Sequence, residues 1–407
     1  MKYLFFLLLV IFPFGQLGRL PFGESEVALQ INDLIAGLLV GAWIIWHLVR
    51  RKKITPLPLL KPILVFLGIA LFSILVNLPE WKSLAGVLYL LRWVAYSCLY
   101  FFLCEAFSGK EISRRETFRV LALAGMVVGF LGIFQYFLYP DLRNLYYLGW
   151  DPHYFRVFST FFDPAFTGVI LVLTLILLVV SFWEKRPKGI VKWWFLVAII
   201  VVYSAFALTY SRGSYLAFLA GIGTIAYLKR APKFFVVTVL IFVITLVVLP
   251  KREDRIGSNL AREDTITARI INWKQSLEVI RDHPIIGVGF NNYRLARKQY
   301  GFTVENGTVS HASAGADSSL LFVWATTGIF GLLAYLWLGW RMTKLALRSW
   351  RIEKSVYGLA LLSGIAALFF HSFFVNSLFY PWTMEWIWIL AAIVSVSKTN
   401  KVRPSIR

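Results

Sequence analysis

Pro164-Ala165-Phe166-Thr167-Gly168-Val169-Ile170-Leu171-Val172-Leu173-Thr174-Leu175-Ile176-Leu177-Leu178-Val179-Val180-Ser181-Phe182-Trp183 runs for twenty residues without an ionisable side chain. At 1.5 Å per residue that is a helix of about 30 Å, the thickness of a bilayer's hydrocarbon core. Similar runs recur along the chain. Of its 407 residues, 58% are hydrophobic and 15% charged, and the mean hydropathy is +0.69. A soluble protein of this size carries roughly a quarter charged residues. The apolar stretches therefore read as helices solvated by lipid, not as the core of a soluble fold.

Twelve such spans are expected, at about 3–22, 27–49, 59–78, 84–107, 117–139, 164–183, 190–208, 213–228, 232–250, 317–340, 356–378 and 382–397. The first begins just after Lys2, as a secretory signal does. No small-residue cleavage site follows it, so it is read as a helix. The expected fold is all-α and polytopic, with one large external loop between spans nine and ten. It divides into 1–250 (spans one to nine), 251–316 (the loop, with amphipathic helices) and 317–407 (spans ten to twelve and a tail).

The net charge of +21 invites a nucleic-acid reading, but its distribution opposes one. With the N-terminus inside, alternate loops hold Arg50-Arg51-Lys52-Lys53, then Lys110, Arg114, Arg115 and Arg119, then Lys185, Arg186, Lys188 and Lys192. Lys229, Arg230 and Lys233 follow, then Arg341, Lys344, Arg348, Arg351 and Lys354, and finally Lys398, Lys401, Arg403 and Arg407. The short loops opposite hold one or two each, such as Arg19, Lys82 and Arg212. This is the positive-inside pattern, so most of the basic excess reports topology. It predicts an inner-membrane protein with both termini cytoplasmic, membrane lipids as neighbours and no nucleic-acid partner. Cys98 and Cys104, six residues apart in one span, read as core thiols with no metal or disulfide implied.

The polar segment 251–316 contains Ile266, Ile270, Trp273, Leu277 and Ile280 at spacings of four, three, four and three, which predicts an amphipathic helix. Asp282-His283-Pro284 ends it, and Gly287 to Tyr293 turn into a second, short helix. Arg269, Arg281, Arg294, Arg297 and their neighbours make this loop unusually basic. That reads either as a face on anionic headgroups or as a cap over an anionic, lipid-linked substrate.

Ionisable residues within spans are costly and commonly mark function. Asp33, Arg92, Asp163, Arg212, Asp317, His371, Asn376 and Glu385 all map to the outer half of the spans. Interface caps, snorkelling and interhelical hydrogen bonds are the plain alternatives for several of them. Thr209-Tyr210-Ser211-Arg212-Gly213-Ser214 is the strongest feature. Arginine binds phosphate bidentately, Gly213 permits close backbone approach, and a helix begins there with its N-terminus favouring anions. The segment reads as a diphosphate clamp.

Several segments together resemble the O-antigen ligase family, which includes O-antigen polymerases. Leu208 to Gly213 is similar to its serine-arginine-glycine motif. Arg156-Val157-Phe158-Ser159-Thr160-Phe161-Phe162-Asp163-Pro164 resembles its arginine–aromatic segment, with Asp163 for the usual asparagine. Trp273 to Asn292 resembles its external-loop signature, and Asp317 to Gly331 its re-entry helix. The resemblance runs from about 120 to 340. It implies inverting, metal-independent transfer of a saccharide from a polyprenyl diphosphate carrier to a hydroxyl of a glycan or lipid-glycan acceptor at the external face, with no cofactor. Arg212 is then the main diphosphate ligand, supported by Arg156 and Arg92. Tyr210, Ser211, Arg269 and His283 join the substrate-binding set.

The family's general base is a histidine eleven residues before the Gly-x-x-Gly that here begins at Gly328. That position holds Asp317. Three readings follow: Asp317 is the base, His311 six residues upstream replaces it, or the chain has lost the activity or uses another acceptor. A carrier of lipid-linked glycans and a non-catalytic partner of an envelope complex are the readings from other classes. Ligase and polymerase are not separated by these residues.

Overall fold

The computed structural model describes residues 1–21, 28–52, 57–81, 85–251, 263–302 and 315–396. They form an all-α membrane protein with one short antiparallel ribbon, β1 (Arg19–Pro21) on β2 (Ala28–Gln30). A helix overlaps each of the twelve expected spans, but the first, expected over 3–22, is α-helical only to Ile11 and continues as a 3-10 stretch over Phe12–Gly18, kinked at Gly15, into β1. In order they are α1 (Lys2–Ile11), α2 (Ile31–Arg50), α3 (Leu60–Trp81), α4 (Ala85–Ser108), α5 (Arg114–Leu138) and α6 (Pro164–Lys185). Then come α7 (Gly189–Ala207), α8 (Arg212–Leu228) and α9 (Pro232–Val248). The polar segment supplies α10 (Glu263–Asp282) and α11 (Tyr293–Gln299), and α12 (Ser319–Glu353), α13 (Val356–Ser372) and α14 (Pro381–Ser395) complete the chain. Among the described residues, α2, α3, α4, α5, α6, α7 and α12 are long and apolar enough to cross a membrane, while α1, α9 and α13 are shorter apolar helices.

Equal hydrophobicity does not mean equal burial here. α6 is buried along almost its whole length, against α5, α7, α8 and α13. α9 is as apolar, yet Phe242 is its one buried residue among those described. Lipid is as apolar as a protein core, so an α9-like helix meets no penalty at the rim of a bundle.

Helix starts are set by local chemistry. Asp163 caps α6 by accepting from Ala165 N (2.6 Å) and Phe166 N (2.8 Å), ahead of Pro164 at the first helical position. The aspartate thus fills the capping role that an asparagine would fill as well. Ser211 caps α8 and Ser318 caps α12 in the same way.

α12 is broken at Gly328, whose φ of 66° and ψ of −172° leave the helical region. The turn after α10 is docked into that break. Val288 N donates to Ala325 O (2.9 Å) and Ile329 N to Pro284 O (2.9 Å). Ser73 of α3 donates to Ile286 O (2.7 Å) and Thr326 O (2.8 Å), tying both pieces to a third element. The His283–Gly289 motif and the Gly328 motif are therefore two halves of one joint. A methyl group on Gly328 would collide with the Ile285 carbonyl, in a left-handed backbone conformation that disfavours any side chain. Gly328→Ala is expected to destabilise the protein by at least about 2–3 kcal/mol. Gly339→Ala, further along α12 where an added Cβ meets nothing within 4 Å, should not. Thermal unfolding of the two purified variants in detergent checks this.

Candidate active site

A cavity of about 1070 Å³ lies at one end of the helix bundle. Residues at or beside the N-terminal ends of α2, α4, α6, α8, α12 and α14 all line it. Each helix N-terminus presents unsatisfied N–H groups and a partial positive charge, so the scaffold alone favours an anion there. Seven arginines line the same cavity among the described residues: Arg19, Arg92, Arg156, Arg212, Arg269, Arg294 and Arg297. The lining acids are Asp151, Asp163 and Asp317. Aromatic rings, including Trp150, Phe162, Phe166 and Tyr380, fill the spaces between them.

The turn before α8 is the most constrained part of the wall. Tyr210 is buried with a positive φ of 49°, and its hydroxyl donates to Pro250 O (2.6 Å). Arg156 is itself buried and donates from Nε to Thr209 O (3.0 Å) and from Nη2 to Tyr210 O (3.4 Å). Val157 N donates to Leu208 O (2.8 Å), so the two arginine motifs are stitched together backbone to backbone. Arg212 leaves this turn as the first residue of α8 and donates from Nη2 to Thr265 Oγ1 (2.5 Å) on α10. Behind it, Ser214 Oγ lies 2.8 Å from Ser211 Oγ and 3.3 Å from Nε2 of the buried His371. A guanidinium so held needs little reorganisation to meet a phosphate.

α10 is turned the other way from a helix that buries its apolar stripe. Ile266, Ile270 and Leu277 are exposed, and within that stripe it is Ile280 that is buried. The opposite face, with Thr265, Arg269, Asn272 and Gln275, lines the cavity. The polar face meets the charged site, and of the apolar stripe Trp273 packs against Phe374 while Ile266, Ile270 and Leu277 stay exposed among the described residues.

Asn272 on that face holds the segment that carries Asp317. Its Nδ2 donates to Gly315 O (3.1 Å) and its Oδ1 accepts from Asp317 N (2.8 Å). The Asp317 side chain is partly buried and lines the cavity just before α12. Burial, the larger influence, raises its pKa to about 6. Arg269 and Arg297 pull the value down, and Asp151 and Asp163 push it up. Such a carboxyl is mostly ionised at neutral pH yet basic enough to accept a proton from a hydroxyl in a transition state.

Arg212, Arg156, Arg92, Tyr210, Ser211, Arg269 and Asp317, scattered over 226 positions of the chain from 92 to 317, thus share one cavity. His283 does not line it. It ends α10, its N–H donating to Val279 O (3.0 Å) and its carbonyl accepting from Gly287 N (3.2 Å), which makes it part of the joint at Gly328. His311 lies outside the described residues. Arg19, Arg294, Arg297, Thr265 and Asn272 also line the cavity, and no motif marks them. The polar face of α10 and the basic character of its loop were the available signals for the last four. Arg19 reads from sequence only as a loop charge.

A helical membrane protein with an arginine-rich cavity at its helix N-termini belongs to the class of membrane proteins built to meet an anionic group. Residues 203–336 match the family model of O-antigen ligase, so this stretch is an O-antigen ligase domain. The match spans the Arg212 turn, α10, α11, Asp317 and the break in α12. No curated protein matches the chain. The domain and the apolar helices support an enzyme of the ligase or polymerase kind, a multi-pass membrane protein that uses a lipid-linked glycan donor and a glycan acceptor.

Proposed function

We propose that the protein moves a saccharide from a polyprenyl diphosphate to an acceptor hydroxyl at the external face of the inner membrane, with inversion and without a metal. The observation that carries this is that Arg212, Arg269 and Asp317 line a single cavity, with the Asp317 segment tied to the Arg269-bearing helix through Asn272. The Asp317 carboxylate takes the acceptor's O–H proton as that oxygen attacks the anomeric carbon. The bond from this carbon to the diphosphate breaks, and its electron pair leaves with the polyprenyl diphosphate. Arg212 and Arg269 hold the charge that develops there, with Arg156 keeping the turn in place. The proton then passes from Asp317 to water. Direct displacement by the acceptor accounts for inversion.

The reaction requires ionised Asp317, so transfer should fall as pH drops through about 6. Initial rates under donor- and acceptor-limiting conditions, measured from pH 5 to 8 with purified protein and a polyprenyl-diphosphate-linked saccharide, test the reading. An acid limb in kcat/KM near that value is expected. A profile flat across this range would show that no carboxyl of this kind is the base. In the same assay His311→Ala should retain transfer.

A further inference from the structure

We propose that Asn376 binds a hydroxyl or acylamino group of the sugar being transferred, and so selects the donor's saccharide. The inference rests on the donor reading above and adds to it the part of the cavity that meets the sugar.

The connection between α13 and α14 joins the two halves of that reading. At one end it packs behind Arg212. There His371 Nε2 lies 3.3 Å from Ser214 Oγ, and a Cβ added to Gly213 would come within 3.6 Å of Phe374 Cβ. At the other end it is fixed two residues after Asp317. Ser319 Oγ donates to Val375 O (3.3 Å) and accepts from Leu378 N (3.1 Å). The Trp273 ring of α10 lies 6.0 Å from the Phe374 ring and supports the connection from a third side. Asn376 falls between the two positions that Ser319 holds, and at most about 7 Å of chain separates it from Phe374. It is the apex of a tight turn, in which Ser377 N donates to Val375 O (2.7 Å) and Asn376 has φ −74° and ψ 57°.

Asn376 lines the cavity and is partly exposed. Its amide oxygen is buried with no hydrogen-bond partner among the described residues. A polar atom left unpaired in such a place is costly, and a ligand that completes the bond is favoured. On the donor reading, the anomeric carbon lies between the oxygen that leaves with the diphosphate and the oxygen that attacks. The sugar ring then occupies the space between Arg212 and Asp317, along which this connection runs. Arginine only donates hydrogen bonds, whereas a hydroxyl or acylamino group also has a hydrogen to give. The Asn376 amide both donates and accepts, so it meets such a group on both counts. Phe379 and Tyr380 line the cavity beside it and offer apolar surface to the C–H face of a ring. Residue 376 lies beyond the stretch that matches the family model.

The test measures equilibrium binding to the full-length protein in a neutral detergent. Two probes are used: undecaprenyl diphosphate, which has no sugar, and undecaprenyl-diphosphate-linked N-acetylglucosamine. Asn376→Ala should bind the bare lipid as wild type does, which also shows that it is folded, and should bind the sugar lipid about tenfold more weakly. Equal affinity of the two proteins for the sugar lipid overturns the proposal. So does an equal loss on both lipids, which would mark Asn376 as a support of the connection only. Arg212→Ala should weaken both lipids. If it weakens neither while Asn376→Ala loses the sugar lipid alone, the clamp falls and the sugar contact stands. A wild type that binds neither lipid ends both readings. A third probe, the glucose-bearing lipid, separates the two chemistries. A loss of the same size there assigns the contact to a hydroxyl, and a loss confined to N-acetylglucosamine assigns it to the acylamino group.

Discussion

Asp317→Asn is expected to lower glycosyl transfer by about 10²–10⁴-fold, the usual contribution of a general base. Asparagine has nearly the same shape but cannot accept the acceptor's proton at neutral pH. The backbone contact from Asp317 N to Asn272 Oδ1 does not depend on the side chain, so the segment should stay in place. The loss should fall on kcat, with little change in KM for either substrate. Stability gives an independent check. Burial raises the carboxyl's pKa to about 6 in the fold, so the ionised form is the less favoured one there. The sign follows directly: above pH 6 the native state carries a cost that the unfolded chain does not, and the neutral amide removes it. Asp317→Asn should therefore keep or slightly raise the melting temperature at pH 7 while losing activity. A variant that keeps full transfer removes Asp317 from the mechanism. A variant that melts early points to a structural role.

Arg212→Ala is expected to cost about 10²–10³-fold in kcat, the scale seen when one fixed donor to a developing charge is removed. The turn should survive, because Ser211 still caps α8 and Arg156 still holds the carbonyls of Thr209 and Tyr210. Arg212→Lys restores the charge but not the paired N–H geometry, so it should recover only part of the rate. Wild-type transfer in Arg212→Ala would refute the clamp. Single-turnover transfer with saturating donor, alongside donor binding, separates a defect in chemistry from a defect in affinity.

Much of this site was legible from particular residues. The Thr209–Ser214 segment carried the turn, the helix start and the arginine proposed to bind phosphate in six consecutive positions, all readable by local rules. Asp317 stood out through its place at a polar-to-apolar boundary and its spacing from Gly328. His283 shows the limit of such reading. It sits in a motif as suggestive as that of Arg212, yet its backbone belongs to the joint at Gly328. The joint pairs two segments about forty residues apart, and no local rule couples them. α10 shows a second limit. Its apolar period predicted a helix correctly, but which face turned to the protein depended on a charged cavity built by other helices.

The sequence by itself determined that this is a helical membrane protein, where its helices begin, and that an arginine turn and an aspartate are set at their ends. These features depend on spans, caps and charges a few residues apart. Only the tertiary structure decided that α6 is core and α9 rim, that α10 offers its polar face, and that seven arginines share one cavity with Asp317. The physical reason is the solvent. Lipid and protein interior are equally apolar, so hydropathy marks a helix as membrane-embedded without saying what it touches, and the neighbours are chosen by packing between segments far apart in the chain.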